Sequence, residues 1–242
     1  MYNILISIAC GLVVAAGIRF GTNLGWTASI LPGFLALVVV YFVLARRTAK
    51  KLEGIFLAAQ KDLQSQKFDK GIQTLQAGFA LAPWQVLVAS QLHAQLGWIL
   101  YALKQDVDAA LPHLRKSFSG HWLARTMLGV ALYRKHDLNG MKDAFEKTVS
   151  SSKKEGLAWS AYAWCLEKEG RHQEAIAVLG RGAAANVTDE KLRSSLQALQ
   201  NGKKLKLGKL YGEQWFQFHL ERIPPELAGP ARGGRRVIYQ RR

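Results

Sequence analysis

The side chains best suited to chemistry are six histidines (His93, His113, His121, His136, His172 and His219) and two cysteines, Cys10 and Cys165. A protein metal site needs several such ligands at short, recurring spacings. No histidine here pairs with another histidine or a cysteine in that way, and there is no C-x-x-C. The sequence also lacks a phosphate-binding P-loop, G-x-G-x-x-G, G-x-S-x-G and H-E-x-x-H. Glu167 and Glu169 sit beside lysines on predicted helix surfaces, where solvation accounts for them. His136 and His172 fall in predicted turns. We therefore expect no catalytic residues, no metal and no cofactor: a binding protein and not an enzyme. Two cysteines, one in an apolar run and one in a predicted helix, build no disulfide framework and fit a reducing compartment.

What would position a binding surface is set by the distribution of charge. Up to Ala45 the only charged side chain is Arg19; all 17 Asp and Glu and the remaining Lys and Arg follow. Residues 2–18 and 26–45 form two uncharged runs joined by the turn Arg19-Phe-Gly-Thr-Asn-Leu-Gly25. A helix crosses the hydrocarbon layer with about 20 apolar residues, and about 17 is the lower limit. The first run lacks the basic start of a cleaved leader, so we expect it to be retained. Gly11, Ala15, Ala16 and Gly17 offer a small face along which two spans can approach. Arg46, Arg47, Lys50 and Lys51 follow the second run, and cations at the end of a span place that end in the cytoplasm. The reading is a transmembrane hairpin over residues 1–51, with its basic flank at the cytoplasmic face.

From Leu52 the pattern becomes that of amphipathic helices, and it repeats. Leu128, Gly129, Leu132, Met141 and Phe145 precede Tyr162, Ala163, Leu166, Ala175 and Leu179 by 34 residues each. Leu96-Gly97, Leu100-Tyr101, Ala110 and Leu114 form an earlier copy. Ala58-Ala59, Phe68, Gly71 and Leu75, closing at Leu81-Ala82-Pro83, form a first, degenerate one. The order W-x2-L-G-x2-Y, then a small residue, then a large apolar one, resembles the tetratricopeptide repeat family in its membrane-anchored bacterial form. The resemblance implies an all-α fold: an N-terminal transmembrane hairpin followed by a tetratricopeptide-like α-solenoid over residues 52–201. Small residues such as Gly97, Gly129 and Ala163 would lie where paired helices cross, facing Ala110, Met141 and Ala175. Thr188 reads as the N-cap of a final capping helix, and Pro112 as an early residue of its helix.

The same resemblance implies a concave groove lined by the first helices of the repeats. The matching positions are Trp98 and Tyr101, then Thr126, Val130 and Tyr133, then Ser160, Trp164 and Glu167. Such an aromatic groove suits a protein or peptide ligand. The alternative, that Trp98 and Trp164 are core residues of a tightly wound array, fits the same spacing. The Lys and Asn set with which some relatives clamp a chaperone's terminal carboxylate is missing. Residues 202–242 form a basic, aromatic extension, expected to be disordered from Pro224. Its ten Lys and Arg against three acids include Lys203, Lys204, Lys206, Lys209, Arg235 and Arg236. Tyr211, Trp215, Phe216 and Phe218 are too apolar for a solvated tail and should pack on the repeats. A net charge of +16 favours anionic partners. Anionic lipid is expected before nucleic acid, because no RNA-binding signature accompanies the basic residues. The expected function is a scaffold or adaptor tethered in the bacterial inner membrane, its soluble part in the cytoplasm. The alternative is recruitment of anionic lipid or RNA by the tail.

Overall fold

A computed structural model describes residues 1–22, 25–118 and 120–224. Among these every regular element is a helix. The chain divides into two compact units, Met1–Ser151 and Ser152–Arg242, and each is described by itself.

In the first unit, α1 (Tyr2–Thr22) packs on α2 (Trp26–Gln64). Both are long and apolar enough to cross a membrane, with mean hydropathies of 2.1 and 2.4 over an 18-residue stretch of each. Their approach is set by backbone. A Cβ on Gly11 would lie 2.8 Å from the Gly33 carbonyl oxygen, and one on Gly33 would lie 2.7 Å from the Ala15 Cβ. Small residues thus sit where the helices cross, while Gly17 faces open space. Polar side chains inside the pair satisfy one another: Asn3 Nδ2 donates to Thr48 Oγ1 at 3.0 Å, and Ser7 Oγ donates to the Asn3 carbonyl at 2.6 Å.

Helix α2 does not stop where the charged flank begins. With no glycine or proline strong enough to break it after Pro32, it runs unbroken through Lys51. Its last turns pack on α3 (Phe68–Ala77), with Gly71 against Leu63. The apolar segment and the first repeat-like hairpin therefore share one helix. Asp62 is accommodated there by Lys70 Nζ at 3.5 Å and the Thr74 hydroxyl at 3.4 Å.

Next come α4 (Val88–Trp98), continuing into a π turn at Ile99–Leu103, and α5 (Val107–Arg115); then α6 (Trp122–Arg134) and α7 (Leu138–Ser151). The helices pair as α4 with α5 and α6 with α7. Gly97 meets Leu114 and Gly129 meets the Phe145 ring, so both glycines sit at close crossings. Their nearest neighbours are these large side chains, one turn beyond Ala110 and Met141, which are themselves buried. Pro112 lies in the second turn of α5, later than its sequence position suggested.

The second unit holds α8 (Gly156–Lys168) paired with α9 (His172–Ala185), then α10 (Glu190–Gln200), α11 (Leu207–Tyr211) and α12 (Glu213–Phe216). Helices α4, α6, α8 and α10 begin at Val88, Trp122, Gly156 and Glu190, a constant 34 residues apart. The second helices, starting at Phe68, Val107, Leu138 and His172, are less evenly spaced. The N-cap of α10 is Asp189, not Thr188: its Oδ1 accepts from the Lys191 and Leu192 amides at 2.9 and 3.2 Å, satisfying two donors left open at a helix start.

Each hairpin turn closes in the same way. The amides of Lys67, Asp106, Asp137 and Arg171 donate five residues back, to Asp62, Leu100 (six back in the π turn's case), Leu132 and Leu166. The residue before each has positive φ: Gln66, Gln105, His136 and Gly170. This is the left-handed helix end that glycine adopts most easily.

Candidate binding surfaces

In the first unit, α2, α3 and α4 enclose an open apolar pocket of about 660 Å³. Helix α2 contributes Phe56, Ala59 and Leu63, α3 contributes Phe68 and Leu75, and α4 with its π turn contributes Trp98, Ile99 and Leu103. Four neutral amides, Gln60, Gln64, Gln66 and Gln95, complete the lining. No charged side chain belongs to it. Such a surface pays no charge-desolvation cost for an apolar ligand, and its amides can pair with a peptide backbone.

Of the groove residues expected from sequence, Trp98 lines this pocket. Tyr101 has no exposed surface. It lies within the π turn, where the wider repeat rotates side chains out of the α-helical register. Thr126 and Val130 are likewise fully buried on α6, while Tyr133 is half-buried. Buried positions of this kind fill space between helices and present no surface to a ligand in this conformation.

In the second unit the expected groove positions are covered by the chain's own extension. Ser160 Oγ and the Tyr211 hydroxyl are 3.0 Å apart. The Trp164 ring meets Trp215 edge-on at 5.6 Å, and Trp215 meets Phe218 at 5.9 Å. One carboxylate joins two indoles: Trp164 Nε1 donates to Glu221 Oε1 at 3.2 Å, and Trp215 Nε1 donates to Glu221 Oε2 at 2.8 Å. Burial pushes the Tyr211 hydroxyl up to about 12, against the lowering effect of its Ser160 bond, so it stays a neutral hydrogen-bonding group. Glu167 is half-exposed and pairs with His172 Nδ1 at 2.8 Å. The sequence reading expected the tail aromatics to pack on repeats. It missed Glu221, whose only sequence signal is an acid in a basic stretch beside aromatics.

The basic residues form two exposed sets. Arg46, Arg47, Lys50 and Lys51 project from α2, and Lys203, Lys204, Lys206 and Lys209 lie on the second unit. Arg235 and Arg236 lie outside the described residues. Among the described residues no group of three His, Cys, Asp or Glu is placed to hold a metal ion.

No protein-family model matches this sequence, and no curated protein does. Among solved structures, one with similarity to this chain is the crystal structure of MamA protein. It is 13% identical, the match covers 74% of this chain and 91% of that one, and the TM-score is 0.46. The protein is all-α, with two long apolar N-terminal helices and a body of paired helices that repeats along the chain. Its own helix pairing and constant 34-residue register carry that description.

One pair of histidines should give the first unit a pH response. His93 Nδ1 and His113 Nδ1 are 3.0 Å apart across α4 and α5, with the Phe79 ring tilted against His93 at 4.8 Å between centroids. The contact requires that at least one ring be neutral. Burial, the facing ring and Lys116 hold His93 below its ordinary value; burial and Lys116 do the same for His113. The unfolded chain then binds more protons, so stability is complete above the ordinary histidine value of about 6.5 and falls as pH drops below it. Thermal unfolding of the first unit should shift to lower temperature between pH 7.5 and 5.5, on the order of a proton's linkage. His113→Asn should reduce that slope, leaving the share of His121, which burial also lowers, and the part of His93's share that burial and Lys116 set. Equal slopes in both proteins would remove the pair from the account.

Proposed function

We propose that this protein is a membrane-tethered scaffold. Its N-terminal hairpin spans the bacterial inner membrane, and its helical repeats hold a protein or peptide partner at the cytoplasmic face. The residue divisions at 51 and 201 mark changes of role along the chain, anchor, repeat array and extension. The observation that carries the reading is the apolar, uncharged pocket at Trp98, built on the same helix that leaves the apolar hairpin. A partner segment suited to it is apolar and uncharged, with backbone amides free to meet the four glutamines. No residue is assigned a catalytic role.

The test is photo-cross-linking in native membranes followed by affinity purification. The intact protein is compared with a variant carrying alanine at Trp98, Tyr101, Tyr133 and Trp164, and with Trp98→Ala alone. Loss of one partner in both variants, with the fold retained, supports a pocket-based scaffold. Loss only in the fourfold variant points to a damaged core at Tyr101 and Trp164. Full retention in both withdraws the pocket. Partners that then vanish on deleting residues 203–242 would favour the second reading, recruitment of anionic lipid or RNA through the exposed lysines of the tail.

A further inference from the structure

The connection between α3 and α4 carries three exposed large apolar side chains within four residues: Trp84, Val86 and Leu87, at 42, 42 and 44% exposure. Leu87 also holds φ at 75°, a left-handed conformation that a bulky side chain enters at a cost. Neither feature serves the core.

What fixes this loop is the start of α1. The Tyr2 amide donates to the Pro83 carbonyl at 2.9 Å, and the Asn3 amide donates to the Trp84 carbonyl at 3.1 Å. The Tyr2 ring meets Trp84 edge-on at 5.5 Å. Asn3 in turn binds Thr48 on α2. Tyr2, the loop and Thr48 therefore share one level of the hairpin. Arg46, Arg47, Lys50 and Lys51 lie within about one turn of Thr48 and are exposed.

Helix length decides where that level sits. Twenty-one residues of α1 rise about 30 Å, close to the thickness of the hydrocarbon layer, with no residue to spare. From Trp26 to Thr48 α2 covers a similar rise. A hairpin that spans the bilayer must then hold Tyr2 and Thr48 at the cytoplasmic boundary. Tryptophan and tyrosine favour this zone, and lysine and arginine there meet anionic headgroups.

We propose that Trp84, Val86 and Leu87, with Tyr2 and the α2 cations, form a lipid-interface site that seats the first repeat on the cytoplasmic leaflet of an anionic bilayer. The inference rests on the proposed spanning of the hairpin. The loop enters the headgroup and upper acyl zone, and two backbone hydrogen bonds lock it to the span. The first repeat is thereby held at the surface in addition to being tethered near it.

The full-length protein, with Cys10→Ala and Cys165→Ala, is reconstituted into vesicles of mixed zwitterionic and anionic phospholipid. A fluorescent label is placed through Val86→Cys, Val13→Cys or Val187→Cys in separate proteins. Quenching is read with iodide in water and with nitroxide lipids labelled near the headgroup or near the chain end. Val13, exposed midway along α1, should respond to the deep nitroxide, and Val187, exposed on the second unit, to iodide. The expected result at Val86 is quenching by the shallow nitroxide and several-fold weaker quenching by iodide than at Val187. Adding Trp84→Ser and Leu87→Ser should restore iodide access at Val86. If Val86 is open to iodide and untouched by lipid while Val13 is deep, the site is overturned, the spanning hairpin stands, and a protein becomes the loop's occupant. If Val13 is also open to iodide, the span and the site fail together.

Discussion

Replacing Trp215 by alanine should destabilise the Ser152–Arg242 unit by about 3–5 kcal/mol, the usual range for deleting a large buried aromatic side chain. Trp215 has no exposed surface. It lies edge-on to both Trp164 and Phe218, and its indole is one of the two donors to Glu221. The substitution therefore opens a cavity and strips a partner from a carboxylate in the same step. Glu221→Gln is the milder companion. It keeps the volume, but its amide has one acceptor oxygen for two indole donors: one charge-assisted bond becomes an ordinary one and the other is lost, at a cost of about 1–3 kcal/mol. Hydrogen exchange of the α8 and α9 amides in the full-length protein reads both, because it resolves one unit without requiring the whole chain to unfold together. Unchanged α8 protection in Trp215→Ala would mean that the extension lies on the repeat without stabilising it. The same variant removes the ring that covers Trp164, so any ligand that competes with the tail for α8 should bind it more tightly.

A second large effect is expected at Gly129. A Cβ there would lie 2.7–2.8 Å from three atoms of the Phe145 ring, and that ring is itself fully buried. Even Gly129→Ala should force the α6–α7 pair apart, costing about 1–3 kcal/mol despite alanine's better helix propensity. Gly180, in the middle of α9, has nothing within 4 Å of its Cβ position. There the same exchange should stabilise by about 0.5–1 kcal/mol, since only backbone entropy and propensity change. Denaturant midpoints for the two variants should move in opposite directions. Movement in the same direction would show that the helix crossing at Gly129 can relax, and that close packing does not explain its glycine.

The contrast between these two glycines marks how far sequence reading reached. Gly129 was legible because it falls in a recurring pattern: small residues at the same place in 34-residue repeats announce a helix crossing before any coordinates exist. The two apolar runs were legible for a similar reason, since length and lack of charge are local properties. Which large residue fills each crossing was not legible. Leu114 and Phe145 lie one turn beyond the expected partners, and helix crossing angles decide such details.

The candidate site divides in the same way. Trp98 was identified from its repeat position, but the pocket beside it needs α2 and α3 in place. The burial of Tyr101 follows from a π turn that the helical period does not announce. The aromatic tail declared that it must pack somewhere, yet not that Glu221 would bridge two tryptophans 51 residues apart in sequence. By itself the sequence determined an all-α chain with an apolar hairpin, its repeat length and the positions of its small residues, all written in local periodicity. Only the tertiary structure decided that one helix joins hairpin to repeat, that the tail covers α8, and that a loop 80 residues along the chain grips the first two residues of α1. Those are contacts between distant segments, and a one-dimensional pattern of apolar residues does not specify which surfaces meet.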